Sequence, residues 1–198
     1  MTDAIDRSPT ELLDELFAPG VLRRMDWGSG EHPEPGWLAV DLKDAPAIHL
    51  SCDIRDGLPL PDECLDYVTS IHALPMISYP DLVPTLEELR RVLRPGGVLR
   101  LCLPDLDKNI AAYQRGDRAH FLVPDSDEDT LSGKLIVQLM WYGWSVTPFT
   151  SEWIDSLLRR AGFTEVHHCE LGVSPSGLEG ICELDNRPDE SLFVEAVR

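Results

Sequence analysis

The sequence predicts an α/β domain built on a doubly wound, mainly parallel sheet with helices on both faces, and three observations carry that expectation. Short apolar runs, most of them closing on a polar residue, alternate with segments of helical period. Residues 94–97, R-P-G-G, stop one helix and open into the continuous apolar run 98–103, the pattern of a strand covered on both faces. Residues 25–41, M-D-W-G-S-G-E-H-P-E-P-G-W-L-A-V-D, give strand, glycine turn, strand and acid, the order of a nucleotide-binding corner.

The chain's 198 residues suit one well-buried unit of this class. We expect a single domain over 1–198, with an N-terminal helix at 8–18 and a substrate-side insertion at 104–149. A formal net charge of −18 argues against nucleic acid as a partner, because binding to phosphates rests on clustered Lys and Arg. Apolar runs are strand-length and broken by charge, so no membrane span or signal-peptide core is expected, and the expected location is cytoplasmic. Five cysteines, Cys52, Cys64, Cys102, Cys169 and Cys182, are scattered and never spaced C-x-x-C. Reduced thiols are expected, with neither a disulfide framework nor a metal site.

Along the chain, Ser8-Pro9-Thr10-Glu11 forms a capping box with proline at the first helical position. Leu12, Leu13, Leu16 and Phe17 make that helix's apolar face. A first strand is expected over 21–26 and a second over 37–40. Only six residues, 31–36, separate Gly30 from the second strand, and Pro33 and Pro35 are among them. A parallel crossover normally needs about a dozen residues and a helix, so a shortened first crossover, a loop, is expected here. A third strand is predicted over 47–52 and a fourth over 65–71. Asp81 is expected to cap the next helix, which tolerates Pro84 in its first turn, buries Leu82, Leu86 and Leu89, and is expected to pair Glu87 with Arg91 at i, i+4. Helices at 105–115, 131–141 and 150–161 follow, then strands at 163–171 and 192–197.

In open sheets of this kind the ligand crevice lies outside the carboxyl ends of the strands. Asp26, Asp41, Asp53, Ser70 and His72 should therefore converge. A dinucleotide fingerprint would need a third glycine where Pro33 stands, and an acid later than Asp41. A carboxylate-lined corner of Asp26, Glu31, Asp41 and Asp53 suits a cationic ligand.

These residues resemble the class I S-adenosylmethionine-dependent methyltransferases, of the small type often labelled methyltransferase type 11. Asp26-x-Gly28-x-Gly30 matches the family's first motif, Asp41 its ribose-binding acid and Cys52-Asp53-Ile54 its adenine-proximal motif. The run E-E-L-R-R-V-L-R-P-G-G-V-L-R-L is the most specific signature. The closing T-x-x-x-L-L-x-x-A-G-F element is matched through Leu157, Leu158, Ala161, Gly162 and Phe163. Two departures stand out: His32 replaces the third glycine, and Leu74-Pro75-Met76 replaces the usual L-E-H.

The resemblance implies a Rossmann-like, seven-stranded sheet with an antiparallel C-terminal strand, and S-adenosylmethionine as cofactor. The cofactor-binding set it implies is Asp26, Gly28, Ser29, Gly30, Asp41, Leu42, Asp53, Ile54 and Ser70. Methyl transfer from a sulfonium is an in-line displacement in which the protein chiefly aligns the reactants and excludes water. His72 stands where a general base would serve an oxygen or nitrogen acceptor, with a structural role as the alternative. Trp141, Tyr142, Trp144 and Phe149 either wall a pocket for a small-molecule acceptor or pack beneath the insertion. The acidic run D-S-D-E-D at 125–129 lacks the glycine and terminal glutamate of a calcium loop, so a solvated turn is expected. A methyltransferase acting on a small molecule is the expected function; the alternative is a binding protein for S-adenosylmethionine or S-adenosylhomocysteine without transferase activity, serving as a partner or regulatory subunit.

Overall fold

The computed structural model describes residues 8–31 and 33–198; the His32 departure lies outside them. Seven strands form one sheet in the order β3-β2-β1-β4-β5-β7-β6. They are β1 Arg24–Trp27, β2 Leu38–Asp41, β3 Leu50–Ser51, β4 Leu65–Ile71, β5 Leu93–Pro104, β6 Glu165–Cys169 and β7 Ser191–Val197. Strands β1 to β5 pair in parallel, and β7 runs antiparallel to both β5 and β6. The chain reverses its winding direction at β1, which pairs with β2 on one side and β4 on the other. The crevice of such a sheet opens at that switch.

Among the described residues five helices accompany the sheet: α1 Pro9–Leu16, α2 Leu82–Val92, α3 Leu106–Arg115, α4 Leu131–Met140 and α5 Ser151–Arg160. Their starts follow the capping rules. Ser8 and Glu11 bond reciprocally in a capping box, Thr130 accepts from Gly133 N, and Thr150 accepts from Trp153 N. Asp81 is different: its carboxylate accepts from Ser78 Oγ and leaves the α2 amides uncapped by side chain. Among the described residues no helix is long and apolar enough to cross a membrane.

Strand alternation divides the buried side chains between two faces. The main apolar cluster joins Met25, Leu38, Val68, Leu99, Leu101 and Val194 of the sheet to Leu13 and Phe17, to Leu86 and Leu89 of α2, and to Ile154 and Leu157 of α5. The opposite face is served by a small cluster of Trp37, Tyr67, Val98 and Ile181. Among the described residues no helix lies between β1 and β2 or between β2 and β3, as the short proline-containing link predicts for the first of these. The connection from β6 to β7 covers this face instead. Tyr67 Oη donates to the Glu179 carbonyl at 2.9 Å. Arg100, fully buried on β5, donates to Asp185 and Glu195 at 2.7 Å each and to the Val173 carbonyl at 3.2 Å.

Several expected elements are corrected. The third strand, expected over 47–52, shrinks to Leu50–Ser51, because the His49 ring takes the Ala39 N–H at 3.0 Å that a longer ladder would use. The first strand begins at Arg24 rather than Val21, which is exposed. The strand expected over 163–171 is confined to Glu165–Cys169, with Phe163 used as a core residue and Leu171 exposed. The expected Glu87–Arg91 pair is absent. Arg91 turns toward the preceding loop, pairing with Glu88 at 2.7 Å and Asp62 at 2.6 Å and donating to the Leu58 and Leu60 carbonyls.

Candidate functional site

The end of β1 delivers the glycine turn to the switch point. Gly28 and Ser29 donate their N–H groups to the Val40 carbonyl at 2.8 and 3.3 Å, tying the turn to β2. Gly28 holds φ at +80°, and a Cβ there would lie 2.2 Å from the Ala73 Cβ, so only glycine fits. Gly30 N–H donates to Asp41 Oδ2 at 2.8 Å and Lys43 N–H to Asp41 Oδ1 at 2.9 Å. The acid at the end of β2 thus shapes the corner, and each of its oxygens keeps a further lone pair for a ligand.

Polar atoms at this corner lack partners. The Asp26 carboxylate is 6% exposed and takes no hydrogen bond from the described residues, and burial together with the nearby Asp41 charge pushes its pKa up to about 7. Ser29 Oγ and Ser70 Oγ are buried without partners among the described residues. Orphaned buried groups of this kind are costly in a protein that leaves them so. Asp26, Gly28 and Ser29 face a cavity of about 450 Å³, completed by Glu34, Ile71 and residues of the β6–β7 connection, Glu183, Leu184, Asp185 and Asn186. An unpartnered carboxylate and hydroxyl on such a cavity fit a ligand carrying positive charge and donors. Sequence reasoning missed Glu34 and the 183–186 wall. An aperiodic loop carries no signal of where it folds back.

The adenine-side residues are more engaged. Asp53 binds Arg55 through both oxygens, with the guanidinium beside it holding its pKa below the ordinary carboxylate value. Ile54 is buried in the core, and Leu42 is 67% exposed next to Asp41. Glu31, expected to line the corner, pairs with Lys43 at 2.8 Å. A separate cavity of about 440 Å³ lies by β6 and β7, against Lys108, His168 and Cys169, and contains none of the expected cofactor residues.

His72 follows β4 with φ at +55°. Its Nδ1 lies 3.2 Å from Arg187 Nη1 and its Nε2 2.9 Å from Ser191 Oγ. A guanidinium can only donate, so Nδ1 accepts and Nε2 carries the proton toward Ser191. Burial, reinforced by Arg187, lowers the His72 pKa to about 4. The Arg187 guanidinium also lies over the Trp141 ring at 5.5 Å. Of the four expected acceptor-side aromatics, only Trp141 is joined to His72 in this way. Tyr142 donates to Asp127 at 2.7 Å, Trp144 is 65% exposed, and Phe149 is fully buried against Trp153. The acidic run is a knitted turn, in which Asp125 pairs with Arg118 and Lys134.

Residues 33–101 match the model of the methyltransferase domain family. A demethylmenaquinone methyltransferase from Lysinibacillus sphaericus is 29% identical over 61% of this chain and 51% of its own length. A malonyl-[acyl-carrier protein] O-methyltransferase from Pseudescherichia vulneris is 28% identical over 82% of this chain and 68% of its own. The chain spans about half the length of the demethylmenaquinone methyltransferases that it matches. A solved S-adenosylmethionine-dependent methyltransferase from Archaeoglobus fulgidus superposes with a TM-score of 0.59 at 14% identity, covering 90% of this chain and 87% of that one. That likeness is one of fold. The family match runs from residue 33, just past the glycine turn, to residue 101 within β5, so that stretch is similar to methyltransferase domains, and the sheet wound 3-2-1-4-5-7-6 shares its fold with S-adenosylmethionine-dependent methyltransferases.

Proposed function

We propose that the protein transfers a methyl group from S-adenosylmethionine to an oxygen or nitrogen of a small-molecule acceptor. The observation that carries this is the buried Asp26 carboxylate, without a hydrogen-bond partner among the described residues, facing the glycine-corner cavity. When bound, the cofactor supplies a methyl group on a positively charged sulfur, open to in-line displacement. In this proposal Gly28 to Gly30 let backbone approach the ligand, and Asp41 accepts from the ribose hydroxyls with its remaining lone pairs. Asp53 and Ile54 flank the adenine, and Asp26 with Glu34 faces the positive charge. Relatives named for demethylmenaquinone and for the malonyl group of acyl carrier protein support an acceptor of small-molecule character.

A second reading, donor binding without transfer, is favoured by one observation. The candidate base His72 is neutral and its acceptor nitrogen is occupied by Arg187. Calorimetry with S-adenosylmethionine and S-adenosylhomocysteine tests the corner. Binding is expected, weakened at least tenfold by Asp41→Ala; absence of heat from either ligand, or an indifferent variant, would overturn the proposal. Methyl incorporation into an acceptor panel separates the two readings, since only the second allows tight binding with no turnover.

A further inference from the structure

Five non-glycine residues among those described hold positive φ: Glu63, His72, Trp141, Tyr142 and Arg187. Such backbone is disfavoured for side chains of this size and concentrates at functional sites. Three of the five, from three separate segments, meet: Arg187 bonds His72 on one side and covers Trp141 on the other. Two of the three, His72 and Arg187, follow directly in sequence on residues that line the donor cavity, Ile71 and Asn186.

Arg187 also differs from other cations of this acidic chain. Arg91 and Arg100 each hold a carboxylate within 2.7 Å. The contact from Arg187 to Glu190 is 3.5 Å, and its side chain stays 45% exposed. Glu190 is buried, and that burial raises its pKa. A half-exposed, loosely paired guanidinium beside an aromatic ring is suited to a flat anion, through paired N–H donors and stacking.

We propose that Arg187, lying over Trp141, anchors the methyl acceptor, and that the acceptor is a planar carboxylate. The proposal rests on the methyl-transfer reading above and narrows its acceptor. It also accounts for the state of His72. A hydroxyl or an ammonium must lose a proton during methylation, and the nitrogen that could take it is turned to Arg187. A carboxylate is already ionised at neutral pH. Its oxygen forms the new bond to the methyl carbon as the carbon–sulfur bond breaks, with that electron pair left on sulfur. The positive and negative charges cancel, and no proton is released. The ester product has lost the charge that Arg187 holds, which favours its release.

Binding to the full chain saturated with S-adenosylhomocysteine tests this directly, with benzoate and trans-cinnamate as probes against benzamide and cinnamamide. At least one acid is expected to bind tenfold or more tightly than its amide. Arg187→Gln should abolish that preference, Arg187→Lys should keep part of it, and Trp141→Leu should weaken the acid; thermal melts confirm that each variant is folded. Equal binding of acid and amide, no binding of either acid, or a preference that survives Arg187→Gln overturns the proposal. Failure of the wild type to bind S-adenosylhomocysteine or S-adenosylmethionine overturns the methyl-transfer reading as well, whereas donor binding without acid preference overturns the acceptor assignment alone. Where turnover is seen, a dye in weak buffer should report no proton per methyl transferred; one proton per turnover counts against it.

Discussion

Asp26 links the corner's ligand affinity to its stability. Its folded pKa, about 7, lies above that of an unfolded aspartate, so the folded state keeps a proton that the unfolded state has lost. Stability should therefore fall as pH rises from about 4 to 7, by on the order of 2–4 kcal/mol. Asp26→Asn removes that penalty, and its melting temperature at pH 8 should exceed the wild type's while S-adenosylmethionine binds at least tenfold more weakly. The wild type's affinity for that cation should rise between pH 6 and 8, and the variant's should stay flat, as calorimetry across the range would show. His72 acts at the other end of the scale. Its folded pKa, about 4, is below the ordinary histidine value, so the unfolded state binds the extra proton between pH 6.5 and 4. Stability is lost as pH falls through that window, and His72→Gln should flatten the loss in urea melts at pH 7 and pH 5.

At the scale of elements, the glycine turn and the β6–β7 connection make separate contributions. Gly28→Ala forces a Cβ against Ala73 and keeps a left-handed φ, a change expected to cost about 1–3 kcal/mol in denaturant unfolding and to weaken donor binding. Arg100→Met leaves Asp185 and Glu195 buried without their cation and should cost about 3–5 kcal/mol. Limited proteolysis of that variant should cut first within residues 170–187. How far each element was legible follows from whether its signal is local. Helix α1 announced itself through Ser8, because a cap acts within three residues, whereas the cap expected from Asp81 is not formed because that carboxylate binds Ser78. Strand β4 matched its apolar run, and the helix-free link to β2 was visible in Pro33 and Pro35. Strand β3 was overestimated, since an edge ladder can be cut short by one side chain, His49. Asp26, Gly28 and Asp41 stand together at the glycine turn, as their spacing along 17 residues implied. The cavity wall of Glu183 and Asn186, and Arg187 beside it in sequence, were not anticipated, because they belong to a segment with neither period nor motif.

For the molecule as a whole, a net charge of −18 sets a background of self-repulsion that salt screens. Raising sodium chloride from 0.05 to 0.5 M should raise the melting temperature by a few degrees, and a fall instead would mean that ion pairs such as Arg100–Asp185 outweigh the repulsion. The placement of the β6–β7 connection has one more consequence, which concerns time. Arg24 meets Glu183 across 159 positions of chain, and Tyr67 meets Glu179 across 112. Contacts so distant close late and slow the approach to the native state. On a ribosome, the glycine turn would emerge long before the wall that encloses its cavity. A nascent chain lacking residues 179–186 would hold Asp26 and Ser29 against water rather than a ligand. Donor capture would then report that synthesis has passed this point, and the cofactor would add its binding energy only to chains that had reached it.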